Sequence, residues 1–254
     1  AVTFSAGLAA AGMIPFCNIY SSFMQRAYDN VIHDVAIQDL PVVMCLDRGG
    51  LVGEDGVTHH GVFDMAAFGA VPGLTIAAPM NEPELRNMMY TALGSGHPFM
   101  IRYPRGHGEG LPWRGEKFET LPVGRGRRLR EGADVALLTV GTVGNAAARA
   151  AGRAAAEGVS VAHYDLRFVK PLDEALLDEV GRKFRRVVTV EDGSLRGGVG
   201  EAVAAFFNGR GYDVRVQRLG IGDEWVEHGT PGQLYALCGY DEEGILRALL
   251  DTRA

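Results

Sequence analysis

Mainly apolar runs occupy residues 14–20, 41–46, 74–78 and 99–103, each bounded by turn-forming or charged residues. Short runs with little polar alternation predict strands buried on both faces. Between them, 23–38, 64–70 and 82–93 carry apolar residues at helical spacing. The first of these helices has the clearest pattern. Phe23, Ala27, Val31 and Val35 form one row, Met24, Tyr28, Ile32 and Ala36 the next, while Gln25, Asp29, Asp34 and Gln38 turn outward. Ser21 or Ser22 is placed to cap its start, and Pro41 forbids continuation.

A second series repeats the alternation, with strands expected at 133–140, 159–164, 186–190 and 213–219 and helices at 144–157, 173–184, 198–208 and 241–250. Residues 107–123 hold Gly, Pro and mixed charges without periodicity and read as a linker. The expected fold class is α/β: two consecutive parallel or mostly parallel sheets with helices on both faces, divided at 1–115 and 123–254. The first twelve residues form a small-residue helical pattern with no initiator Met and no capping residue ahead of it, which points to missing upstream sequence.

Composition narrows the partners. A hydrophobic content of 47% supports one large core or two ordinary ones. A formal charge of -6, with one basic run at 125–130 read as a solvated linker, argues against nucleic acid, because phosphate binding needs a concentrated basic face. Cys17, Cys45 and Cys238 lie in apolar runs at no metal-ligand spacing and fit reduced thiols of a cytoplasmic protein. No membrane partner is expected, since no stretch reaches the roughly 18 uninterrupted apolar residues a spanning helix needs.

Candidate chemistry concentrates in 47–61, a glycine-rich segment after an apolar strand that holds Arg48, His59, His60 and the carboxylates of Asp47, Glu54 and Asp55. Its glycines disfavour both helix and strand, so it reads as a functional loop. Ligands of open α/β sheets lie beyond the carboxyl ends of the strands. Tyr20, Arg48 and Arg105 fall at or just past three such ends and are expected to converge. Two arginines offer forked donors to a phosphate or carboxylate; the competing reading is an ordinary ion pair for each. Adjacent His59 and His60 point in different directions, with no third metal ligand at a recognisable spacing, so a single histidine as acid, base or donor is the simpler reading. Asp55 orients a histidine, accepts a substrate hydroxyl or is a solvated turn residue. The segment 191–200 resembles an anion-binding turn, although close packing of helix on strand explains its glycines better.

Residues 20–30 (YSSFMQRAYDN), the 47–61 loop with its Gly-Glu-Asp-Gly-x-Thr-His-His-Gly stretch, 102–106 (RYPRG), Glu191-Asp192-Gly193 and 223–229 together resemble the 1-deoxy-D-xylulose-5-phosphate synthases, thiamine-diphosphate enzymes of the transketolase-like group. The helix motif is shared with transketolases and with β subunits of 2-oxo-acid dehydrogenases; the glycine loop is more specific to the synthases. The resemblance implies condensation of pyruvate with glyceraldehyde 3-phosphate with loss of carbon dioxide, the first step of non-mevalonate isoprenoid supply and a source of thiamine and pyridoxal precursors. It implies that Phe23 stacks on the cofactor's aminopyrimidine ring with Arg26 at the pocket edge. Arg48 and Arg105 would hold the acceptor phosphate, and Tyr20, Asp55 and His59 would surround the reacting carbons. His59 is the first choice for proton exchange with a substrate oxygen.

One departure matters. In this family a glutamate that protonates the cofactor pyrimidine lies just before the point where this chain begins, and the upstream domain with the Gly-Asp-Gly motif for magnesium and diphosphate is also absent. The resemblance therefore implies a carboxyl-terminal fragment, inactive alone, with no metal ligands of its own, completed by a companion upstream chain and acting in a homodimer. The alternatives are a transketolase-like or dehydrogenase β-subunit-like enzyme, and a non-catalytic thiamine-diphosphate-binding or dimerisation module.

Overall fold

The computed structural model describes residues 1–251. Helix α1 (Val2–Ala10) packs Val2, Ala6 and Ala9 on the first half's core, and no side chain caps its start. The first sheet contains β1 (Phe16–Tyr20), β2 (Val43–Asp47), β3 (Thr75–Ala77) and β4 (Phe99–Arg102). These run parallel in the order β1-β2-β4-β3. All of β4 is buried, as befits a strand covered on both sides. One face is covered by α1 and the 21–36 helical segment with Phe68 of α4 (Asp64–Gly69) and Val71 just beyond it; the other carries Met88 and Ala92 of α5 (Glu82–Leu93).

The helix expected at 23–38 is not regular. It begins at Ser21 as α2 (Ser21–Met24), tightens to a 3₁₀ turn at Gln25–Ala27, resumes as α3 (Tyr28–Asn30) and widens to a π turn at Val31–Ala36. Tertiary contacts override the local ladder: Met24, Val31 and Val35 are fully buried, and the consecutive β-branched Val31 and Ile32 fit a regular helix poorly. Neither serine caps it, because Tyr20 occupies the cap position and the Ser21 hydroxyl donates to Asp64 instead.

The second sheet, ordered β10-β9-β6-β7-β5, comprises β5 (Arg127–Arg130), β6 (Val135–Val140), β7 (Val161–Asp165), β9 (Arg186–Ser194) and β10 (Arg215–Ile221). Helices α6 (Val143–Ala156), α9 (Pro231–Leu237) and α10 (Glu242–Leu250) cover one face. The other carries α7 (Glu174–Lys183) and α8 (Val199–Gly209). The 125–130 run is therefore not a solvated linker. It supplies β5, an antiparallel edge strand, and Arg127 pairs with Glu84 (2.9 Å) and Asp165 (3.1 Å).

The two halves interlock. Strand β8 (Phe168–Lys170) lies beyond the 107–123 segment yet adds antiparallel to β3 in the first sheet. Arg167, just before it, forms a forked pair with Glu84 (2.8 and 2.9 Å). The 107–123 segment is irregular as expected but strapped to α5, where Arg86 donates to the carbonyls of Glu116 (3.1 Å) and Lys117 (2.6 Å). Among the described residues no helix is long and apolar enough to cross a membrane.

Candidate functional site

Three adjacent parallel strands, β1, β2 and β4, deliver the site residues from their carboxyl ends. Tyr20 closes β1 and Arg48 follows β2 directly, in a left-handed backbone conformation (φ 61°) that swings its side chain across the sheet end. The Arg48 guanidinium lies 3.8 Å from the centre of the Tyr20 ring and pairs with Asp47. Its buried Nε has no acceptor among the described residues. Tyr20 stacks on Phe23 at 5.2 Å, Arg26 sits over Phe23 at 5.3 Å, and His59 meets the same ring edge-on at 5.5 Å. Thus Tyr20, Phe23, Arg26, Arg48 and His59 form one continuous cluster. Its flat, half-buried aromatic face and unpartnered arginine donor suit a planar ring carried next to an anionic group.

Arg105 and Asp55 take a different course. They pair with each other at 3.2 Å, both exposed, and Arg105 also donates to the Val52 carbonyl at 3.2 Å. Arg105 lines a cleft of about 570 Å³ between the halves, walled by Tyr103 and Glu82 on one side and by Asn145, Tyr235 and Tyr240 on the other. His60 is structural: buried, it accepts from Val52 N–H at Nδ1 (3.1 Å), so its Nε2–H faces the Glu227 carbonyl (3.3 Å). Among the described residues the His59 side chain has one hydrogen-bond partner, the Thr58 hydroxyl at 2.9 Å. No group of three or more His, Cys, Asp or Glu residues is placed to hold a metal among the described residues.

Beneath the glycine loop lies a buried polar network that the sequence reading passed over. Asp64 Oδ2 accepts from the Ser21 hydroxyl (2.9 Å) and from Arg102 Nε (2.9 Å). Arg102 Nη2 donates to the Asp192 carbonyl oxygen (2.9 Å). The Asp192 carboxylate accepts from Leu51 N–H (3.0 Å), Tyr240 (2.8 Å) and Tyr235 (3.3 Å). Burial raises the Asp192 carboxyl above its usual range, opposed by Arg102 and these donors. Burial disfavours the Arg102 cation, yet Asp64 and Asp192 hold its pKa above the ordinary arginine value. The legible signal was a charge ending an otherwise apolar strand, at Arg102 after Phe99-Met100-Ile101 and at Asp192 after a valine-rich run.

The amides of the 191–200 turn are taken by a side chain of the chain itself. Glu191 fills the turn, accepting from Val199 N–H (2.7 Å) and Gly200 N–H (2.8 Å) at the start of α8. A Cβ on Gly198 would lie 2.4 Å from Glu191 Oε2, so close packing explains the glycines. Burial raises the Glu191 carboxyl to about 7.

Comparison with known proteins bears on the fold and the family. Residues 1–109 match the transketolase pyrimidine binding domain and residues 124–245 the transketolase C-terminal domain. A 1-deoxy-D-xylulose-5-phosphate synthase of Bacteroides fragilis is 60% identical over the whole chain, which covers 39% of that protein. The synthase of Symbiobacterium thermophilum is 49% identical over 96% of the chain and 38% of its own length. The chain thus spans about two fifths of the length of the curated relatives it matches. A solved structure described as a split gene transketolase, inactive beta4 tetramer, superposes with a TM-score of 0.87 at 27% identity, over 97% of this chain and 78% of that one. Carrying both domains in order, with a matching tertiary structure, this chain belongs to the transketolase family, as a partial-length relative of the 1-deoxy-D-xylulose-5-phosphate synthases.

Proposed function

We propose that this chain forms the pyrimidine-facing and acceptor-facing wall of a thiamine-diphosphate-dependent 1-deoxy-D-xylulose-5-phosphate synthase that joins pyruvate to glyceraldehyde 3-phosphate with loss of carbon dioxide. The observation carrying this reading is the Arg26, Phe23, Tyr20, Arg48 and His59 cluster at the ends of β1 and β2. The residues fit the two ligands: the Phe23 ring with Arg26 over it offers a stacking surface to the cofactor, and Arg48 Nε is a buried donor on the side of the acceptor. When bound, thiamine diphosphate supplies the electron sink for breaking the bond to the carboxylate carbon of a 2-oxo acid.

The chain's own residues bind and orient. Phe23 and Arg26 hold the pyrimidine edge, and Tyr20 walls the space beside it. Arg48 and Arg105 donate to the acceptor's phosphate oxygens, with Arg105 exchanging its exposed contact to Asp55 for that stronger, charge-assisted one. His59 holds or delivers a proton at a substrate oxygen, and Asp55 accepts a substrate hydroxyl. Magnesium ligands belong to parts of the full-length enzyme outside this chain, and the complete enzyme works as a cytoplasmic homodimer feeding isoprenoid, thiamine and pyridoxal precursor synthesis. By analogy with the split transketolase, which is described as inactive in its beta4 form, this chain alone is inactive and needs the companion portion.

The test is carbon dioxide release from pyruvate with thiamine diphosphate and magnesium, using this chain alone and joined to the remainder of the full-length protein. Release by the completed enzyme that rises strongly with glyceraldehyde 3-phosphate is the expected result. Release indifferent to the acceptor would point to a dehydrogenase-type relative, and no release from the completed enzyme would reject the reading.

A further inference from the structure

Asp192 lies near the end of β9 in the second half, yet its carboxylate ends under the loop that carries His59 and Asp55. Two features show that the loop is seated on it. Its Oδ1 takes the Leu51 amide, inside the loop, across 141 residues of sequence. Gly50, in the left-handed region (φ +85°), comes so close that a Cβ there would lie 2.0 Å from Asp192 Oδ2. The loop is pinched at its neck, where Gly50 and Gly61 exchange backbone hydrogen bonds of 2.7 and 2.8 Å. Val52, next to Leu51, donates to His60 and offers its carbonyl to Arg105. A displacement at Leu51 is therefore passed through Val52 to the part of the loop that bears His59 and to Arg105, which reaches the loop from the end of β4.

We infer that Asp192 is a positioning residue for the reaction: from the second half, it sets the 50–61 loop so that His59, Asp55 and Arg105 face the acceptor. Tyr235 and Tyr240 fix the carboxylate by donating to it, and Arg102 extends the same network through Asp64 to Ser21, at the start of the helix bearing Phe23. One buried carboxylate thus ties the acceptor-facing loop to the cofactor-facing helix. This inference rests on the function proposed above for its kinetic readouts, but the geometry has a readout of its own.

In the full-length enzyme, Asp192→Ala removes the acceptor for Leu51, whereas Asp192→Asn keeps an oxygen at the same place. The alanine variant is expected to lower kcat about tenfold and raise KM for glyceraldehyde 3-phosphate about fivefold, with pyruvate KM changed less than about twofold. Hydrogen exchange at the Leu51 amide should accelerate at least about tenfold, since its buried acceptor is gone. Asp192→Asn should restore most of both. As a structural control, Asp173→Ala removes the cap of α7, which accepts from Leu176 N–H at 3.1 Å; it should lower stability without moving either KM or Leu51 exchange. If Asp192→Ala does not fold, Tyr240→Phe makes the same test by deleting one donor to the carboxylate, with about a threefold fall in kcat expected. A folded alanine variant with unchanged acceptor KM and unchanged Leu51 exchange overturns the inference, as does a control that moves both. If the proposed function is wrong, the wild-type enzyme shows no acceptor-dependent turnover while Leu51 exchange still reports whether Asp192 seats the loop.

Discussion

Replacing Arg102 with Met removes a guanidinium shared by Asp64 and Asp192 while keeping an apolar stem in its place. Its side chain is 5% exposed and that of Asp64 1%, with Nε and Oδ2 2.9 Å apart. At an effective dielectric constant of about 20, a pair this close attracts by roughly 6 kcal/mol before desolvation is counted. Deleting one partner strands the other, and such deletions cost about 3–5 kcal/mol. Here the Asp192 carbonyl oxygen also loses its donor, which places the expected loss at the upper end of that range. For a chain of this size that corresponds to a fall in Tm of about 10 °C. The assay is urea denaturation of Arg102→Met, Asp64→Asn and the double variant. Because the charge stranded by the first change is neutralised by the second, the double variant should lose less than the sum of the single losses. A single variant within about 1 kcal/mol of wild type, or strictly additive losses, would refute the view that this buried pair holds the loop base together.

Three further outcomes are expected. Gly50→Ala should destabilise by about 3 kcal/mol, combining left-handed backbone strain with displacement of a buried hydrogen bond, and an unchanged urea midpoint would show that the loop does not rest on Asp192. Glu191, raised from 4.5 to about 7, binds a proton in the folded chain that the unfolded chain has already released. Its contribution is therefore full below about 4.5 and is lost as pH rises toward about 7, by roughly 3 kcal/mol. Glu191→Gln should flatten that part of the stability profile, and identical profiles for the two proteins would exclude the raised carboxyl. Phe168→Ala, which empties a fully buried ring site facing Phe99 at 6.5 Å, should cost about 3–5 kcal/mol and weaken both halves in one unfolding transition, because β8 joins the second half to the first sheet; two separate transitions would contradict this.

The amino-acid sequence by itself determined the alternating α/β layout and the interior strands. Continuous apolar runs such as Val43-Met44-Cys45-Leu46 and Val135-Ala136-Leu137-Leu138 have no other place than a sheet covered on both faces. It also determined that Tyr20 and Arg48 would meet, since parallel strands release their next residues on the same side of the sheet. Only the tertiary structure decided the edges and the joints. Arg127–Arg130 and Phe168–Lys170 carry little strand signal, because an edge strand is defined by its pairing partner rather than by burial of both faces. The break in the 21–36 segment and the pairing of Arg105 with Asp55 likewise follow from neighbours distant in sequence. The charges ending apolar strands at Arg102 and Asp192 left a signal in the chain, but their joining with Asp64 into one network did not. A buried charge is tolerable only once its partner has arrived, and which partner arrives is settled by packing the two halves together.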